Sequence, residues 1–261
     1  MPALLGVPFD ENSSYRRGAA KGPAAIRAAL RCDSTNLWTE NGQDLGALAT
    51  LEDAGDVDCA SGSDAFVEIE RRVAALLASN ARPLLLGGDH SITYPVFRAF
   101  AKKYPQLTIL HFDAHPDLYD AFHGSRVSHA CPFARIMEQR LARRLVQIGV
   151  RTMNGHQREQ ARRFGVEVIE MRKWARTARL RLAGPLYISF DMDALDPGCA
   201  PGVSHPEPGG MSTREALRVI QSLRAGIVGA DVVELNPDRD VNGITAMAAA
   251  KLVKEIAARM R

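Results

Sequence analysis

The sequence predicts an α/β fold of three layers, a mostly parallel β-sheet with helices on both faces. Apolar β-type runs alternate with amphipathic helical stretches over all 261 residues, which is the pattern of βαβ units. Several of the runs are apolar without alternation, as strands buried on both sides are. Chemistry-bearing residues directly follow three of the runs and one lies within a fourth, near its end, where open α/β sheets bind their ligands.

In chain order, the runs at 4–7, 83–86, 108–112, 145–150, 166–169, 186–190 and 227–235 read as strands. Stretches at 65–79, 94–103, 213–223 and 245–260 have helical spacing. Ser212-Thr213-Arg214-Glu215 has the form of a capping box, placing a helix start there. Residues 33–62 and 194–210 lack periodicity and read as surface loops. The second is rich in Gly and Pro and follows a strand, where functional loops sit. No internal repeat or long linker is visible, so 1–261 reads as a single domain.

Composition narrows the function. Hydrophobic residues make up 46%, enough for a full core, and the net charge is +3 with both signs interspersed. That balance is too mild to call for nucleic acid or a membrane surface as partner. Arg158, Arg162, Arg163, Arg172, Arg176, Arg179 and Arg181 form a local basic stretch that reads as a solvated helix face and loop. Cys32, Cys59, Cys131 and Cys199 are widely spaced with no CxxC, which suits reduced thiols. The start lacks a signal-peptide pattern and no apolar run has membrane-spanning length. The expectation is a soluble cytoplasmic protein.

The most informative segment is LTILHFDAHPD at 107–117. Its polar groups Asp113, His115 and Asp117 recur at i, i+2 and i+4, so an extended chain points all three the same way. The other strand ends add His90 in GGDHS, Asp191 and Asp193 after 186–190, and Glu234 within 227–235. Each has a plainer role available: His90 sits among good helix-cap residues, and Asp193 could form a turn. Asp196, before Pro197-Gly198, is read as a turn former. His111 is assigned to packing, behind the ligands, and His123 and His156 to loops or surface. Four carboxylates and two imidazoles exceed the needs of one tetrahedral zinc. They suit two divalent ions, Mn²⁺ first, with Ni²⁺, Co²⁺ or Fe²⁺ as substitutes. Two ions ~3.5–4 Å apart can activate water at neutral pH, so hydrolysis of a carbon or phosphorus centre is expected.

These motifs resemble the ureohydrolases, the arginases and agmatinases. The resemblance rests on GGDHS at 87–91, DAHPD at 113–117, SFDMDALDP at 189–197 and DVVELNP at 231–237, in that order. SHACPFARIME at 128–138 and APGVSHPEPGG at 200–210 look most like plant-type arginases and their bacterial relatives. The resemblance implies a parallel sheet of about eight strands, two Mn²⁺ and a homo-oligomer, a trimer or hexamer. It implies a first metal held by His90, Asp113, Asp117 and Asp191, and a second by His115, Asp113, Asp191 and Asp193. It implies that Glu234 receives the guanidinium, that Asp117 carries a proton, and that His129 is the proton shuttle. Animal-type enzymes have Gly after that histidine; Ala130 stands here, as in the plant pattern.

The implied reaction cleaves a guanidino compound to urea and a primary amine. L-Arginine is favoured as substrate; agmatine is the rival, and guanidinobutyrate, formiminoglutamate and guanidine remain open. The choice depends on loop groups at the far end of the substrate, with Tyr119, Ser125, Arg126, Asn154 and His205 as candidates. Animal arginases carry Asn where Tyr119 stands. A non-catalytic metal-binding homologue would have lost a ligand, and all six positions are present. A nucleotide-binding domain would need GxGxxG or a P-loop, and neither occurs. A zinc amidohydrolase would not need His90 together with Asp193 and Glu234.

Overall fold

Among the described residues eight strands form one sheet, ordered β2-β1-β3-β8-β7-β4-β5-β6, and each neighbouring pair in it is parallel. The computed structural model describes residues 1–46, 51–59, 64–174 and 180–260. Parts of the expected 33–62 loop (47–50 and 60–62), together with Arg176 and Arg179, lie outside the described residues.

The strands are β1 (Pro2–Val7), β2 (Glu52–Asp56), β3 (Arg82–Gly87), β4 (Thr108–Phe112), β5 (Arg144–Ile148), β6 (Glu167–Ile169), β7 (Pro185–Asp191) and β8 (Gly226–Val233). Alternate residues serve opposite faces. Leu84, Leu86, Leu110, Phe112, Ile188 and Phe190 pack with α1 (Gly22–Arg31), α6 (Thr213–Ser222) and α7 (Ile244–Arg259). Leu5, Leu85, Ile109, Leu145 and Tyr187 pack with α2 (Ala65–Ala78), α3 (Thr93–Lys103), α4 (Pro132–Glu138) and α5 (Gly155–Phe164). Both faces are therefore covered, which explains why the strands read as unbroken apolar runs. The capping box expected at Ser212 forms with Glu215, and a second one joins Asn154 to Gln157.

Two expectations need correction. The 33–62 loop contains an edge strand, β2, whose residues EDAGD are mostly exposed. It shows no apolar period because one edge faces water; Arg27 of α1 holds it through Asp53 and Asp56. Secondly, β8 stops at Val233, so Glu234 lies just past the strand rather than within it. Its φ of 64° is in the left-handed region and ends the ladder.

The order of strands positions the site. β3, β8, β7 and β4 are adjacent in the middle of the sheet, although β7 and β8 come late in the chain. Their carboxyl ends carry all the motif residues to one rim.

Candidate metal centre

β3 leads through Gly87-Gly88-Asp89 into a short 3-10 turn, His90–Ile92. The Asp89 carboxylate caps that turn by accepting from Ser91 N–H. Capping and site-building thus coexist, on neighbouring residues. A Cβ added at Gly88 would collide with the Phe9 carbonyl, so glycine is what lets the chain after β1 cross here. Asp89 is buried and its carboxyl is pushed up to about 7, by burial first and then by Glu234. It accepts Asn12 N–H, tying that crossing segment to the turn.

His90 is fully buried and its two ring nitrogens have distinct roles. The Ser189 hydroxyl donates to Asp231 Oδ1 at 2.7 Å, so it must accept from His90 Nε2, 2.9 Å away. Nε2 therefore carries a hydrogen, which leaves Nδ1 as the nitrogen that can ligate. Burial would lower the imidazole's hold on a proton, but Asp113, Asp117 and Asp191 around it raise it well above the usual range. That Nδ1 has no hydrogen-bond partner among the described residues. It lies 3.2 Å from each of Asp113 Oδ2, Asp117 Oδ2 and Asp191 Oδ2. One nitrogen and three carboxylate oxygens converge on a point that favours positive charge, and the donor set fits a divalent cation.

A second group lies alongside. His115 Nδ1 is 3.0 Å from Asp193 Oδ2 and 3.4 Å from Asp113 Oδ1. Asp113 thus turns one oxygen to each group, the geometry of a bridging ligand. Asp191 gives Oδ2 to the first group, while its Oδ1 accepts Asp193 N–H at 2.7 Å. Electrostatics agree with a cation site. Burial, then Asp193 and Asp113, hold the Asp191 carboxyl well above its usual range; burial and Asp113 raise Asp193. Burial would also raise Asp113, but the imidazoles of His111, His115 and His90 hold it well below. Carboxylates crowded this closely in a dry interior are costly unless a cation compensates them.

Above both groups is a cavity of about 170 Å³ whose wall includes His115, Asp117, His129, Asp191, Asp193, His205 and Glu234. Glu234 Oε1 accepts His90 N–H at 2.8 Å and lies 3.4 Å from His129 Nδ1. Its other oxygen, Oε2, is buried with no partner among the described residues, as an acceptor awaiting a donor would be. Asp117 also has a positive φ, 48°. Non-glycine residues held there cost about 1–3 kcal/mol each, strain that clusters at functional sites. Burial would lower the His129 imidazole, but the Glu234 carboxylate outweighs it and raises it to about 9.

The six predicted metal ligands come together, as do His129, Glu234 and His205. His205 stacks on His129 with ring centroids 4.7 Å apart, and burial lowers its own affinity for a proton. Asn154 is placed otherwise: it caps α5, and its Nδ2 donates to the Tyr119 hydroxyl. Ser125 and Arg126 lie off the wall, Arg126 being paired with Asp120 and Glu138. Asp196 is the turn former expected; it accepts from Gly198, Gly209 and Gly210 N–H and braces the 194–210 loop. His156 is exposed as expected, yet it stacks on Tyr119.

Wall residues that sequence reasoning missed are Ser14, Phe122, Thr152 and Gln157. Ser14 follows the carboxyl end of β1, and Thr152 and Gln157 follow β5. Searching past those two strands, by the same rule that found the others, would have found these three; Phe122 lies in the long segment after β4 and carries no polar group to mark it.

Comparison with known proteins agrees with this site. A family model described as the arginase family matches residues 2–258. The mitochondrial arginase 1 of Arabidopsis thaliana is 50% identical over 275 residues, covering 99% of this chain and 80% of the relative. The arginase structure from Medicago truncatula superposes with a TM-score of 0.95 at 47% identity, over 99% of this chain and 87% of that one. A hypothetical agmatinase from Burkholderia thailandensis is more distant, with a TM-score of 0.84 at 32% identity over 98% and 84%.

Proposed function

The chain belongs to the arginase family of hydrolases acting on guanidino C–N bonds, and on that premise we propose that its substrate is L-arginine, cleaved to ornithine and urea with two Mn²⁺ bound. The observation that carries the reading is the convergence of three carboxylate oxygens on the unpartnered His90 Nδ1, beside the unpartnered Glu234 Oε2. A cation pair and a guanidinium would satisfy both. The oxygen-rich donor set supports Mn²⁺, and the plant arginases, nearer in identity than the agmatinase, support arginine.

His90, Asp113, Asp117 and Asp191 would hold one ion, and His115, Asp113, Asp191 and Asp193 the other. Two such ions supply an activated water at neutral pH and offset charge on the tetrahedral centre. The remaining steps belong to the chain. Glu234 Oε2 accepts from the guanidinium N–H groups and, with Oε1 pinned by His90 N–H, orients the carbon. Asp117 takes the proton released on attack and passes it to the departing amine. His129, whose imidazole the Glu234 carboxylate raises to about 9 in the metal-free chain, exchanges a proton through the Ser14 hydroxyl, 2.8 Å from Nε2. Among the described residues the wall contains no Arg or Lys. An α-carboxylate would therefore meet neutral donors: the Ser14 and Thr152 hydroxyls, and the Tyr119 hydroxyl, whose own hydrogen is free once it accepts from Asn154.

We place the protein in a reducing compartment such as the cytoplasm, which its free cysteines suit, and read it as a homo-oligomer, a trimer or hexamer. The test of the activity is urea release by the Mn²⁺-loaded protein from arginine, agmatine and guanidinobutyrate in parallel. Arginine should give the highest kcat/KM; preference for agmatine would overturn the substrate while leaving the reaction.

A further inference from the structure

His111 on β4 and Gln147 on β5 are register partners, and both are fully buried. His111 is not itself a ligand, because both ring nitrogens are engaged. Nε2 is 2.8 Å from Asp113 Oδ2, and Nδ1 is 3.0 Å from Gln147 Nε2. The Gln147 amide also lies 2.7 Å from the Pro116 carbonyl. A carbonyl oxygen can only accept, so the amide nitrogen must face it. The same NH₂ group then donates its second hydrogen to His111 Nδ1. Nδ1 is thereby an acceptor, the ring hydrogen sits on Nε2, and it donates to Asp113.

We propose that Gln147, acting through the tautomer of His111, fixes the Asp113 carboxylate in its bridging orientation. The inference rests on the dinuclear metal site proposed above. Asp113 is then held at both oxygens: Oδ2 by His111 Nε2–H, and Oδ1 by His115 N–H at 2.6 Å. Each oxygen keeps lone-pair density for its own ion. Partners of this kind, one shell behind the ligands, orient them and tune the metal. The arrangement leaves Gln147 Oε1 buried without a partner among the described residues. Stability alone disfavours that, and it accords with selection for the two N–H groups. Pro116 lies between the ligands His115 and Asp117, so the same amide also holds the turn carrying them.

The test measures Mn²⁺ binding to metal-free protein by equilibrium dialysis with metal analysis, and checks folding by the metal-free thermal transition. Three variants separate donation from packing. His111→Gln places an amide N–H near the position of Nε2 and keeps the donor. His111→Phe keeps the ring against Phe133 and loses the donor. Gln147→Met keeps His111 and removes the tautomer lock. His111→Phe and Gln147→Met should bind at least one ion about 10–100-fold more weakly, with His111→Gln clearly tighter than His111→Phe. A ring that only packs predicts the reverse order. Wild-type affinity in Gln147→Met, or His111→Phe binding as well as His111→Gln, overturns the proposal. Should a His111 variant fail to fold, Gln147→Met decides alone. A wild-type chain that binds fewer than two ions overturns the dinuclear reading instead.

Discussion

The Glu234 carboxylate accepts the backbone N–H of His90 at 2.8 Å, across 144 positions of sequence. This bond couples the proposed guanidinium seat to the turn that carries a metal ligand. It also leaves Glu234 one anchored oxygen and one free.

Glu234→Gln retains an oxygen for His90 N–H and loses the charge. Removing one partner of a buried charge pair costs ~2–5 kcal/mol, so kcat/KM for arginine should fall by about 30- to 5,000-fold. Manganese content should be unchanged, since Glu234 is not a proposed ligand; steady-state kinetics with metal analysis checks both.

Asp193→Ala removes a ligand of the second group only. The variant should retain one ion per chain and lose nearly all urea release. Full activity with two ions bound would sink the dinuclear assignment.

Ser189→Ala deletes the acceptor that holds His90 Nε2–H and takes a donor from buried Asp231. Losing the partner that orients a metal-ligating imidazole weakens metal binding ~10–100-fold. Titration of the metal-free variant with Mn²⁺ should show it.

His129 is raised in the folded chain from its ordinary 6.5 to about 9. The proton is bound more tightly in the folded state, so its stabilising contribution is full below pH ~6.5 and is lost as pH rises through ~9. Metal-free protein should therefore melt at lower temperature across that window, and His129→Asn should flatten that fall. An equally steep fall in the variant would refute the assignment.

Gly88→Ala drives a methyl group into the Phe9 carbonyl. Overpacking costs ~1–3 kcal/mol or more, and at about 2–4 °C per kcal/mol the melting temperature should drop by several degrees. Activity should fall as well, because the displaced segment carries Asn12 and Ser14.

Much of the fold was legible because strands buried on both faces announce themselves as apolar runs, and seven of the eight did. β2 did not: its edge faces water, and its hold on α1 comes from ion pairs rather than burial. The end of β8 was misplaced because Glu234 leaves the β region through its backbone dihedral, which no periodicity encodes. The ligands were legible because Asp113, His115 and Asp117 cluster directly after an apolar run. The extended alternation expected for them does not form, since β4 ends at Phe112 and Asp117 has a φ of 48°, so the turn after the strand aims them. Asn154 caps α5 and stands off the cavity wall; a good helix cap and a good substrate donor are the same residue type, and only the direction of its side chain separates them.

Local pattern was enough to show which motif follows which apolar run, since a strand buried on both faces is written in consecutive apolar residues; where each side chain points was set by the turns beyond the strands. Long-range packing makes β3, β8, β7 and β4 neighbours, and so brings His90, Glu234, Asp191 and Asp113 together. It also places Gln147 opposite His111. Strand adjacency and register arise from contacts between distant segments, whereas the patterns that betray a strand are local.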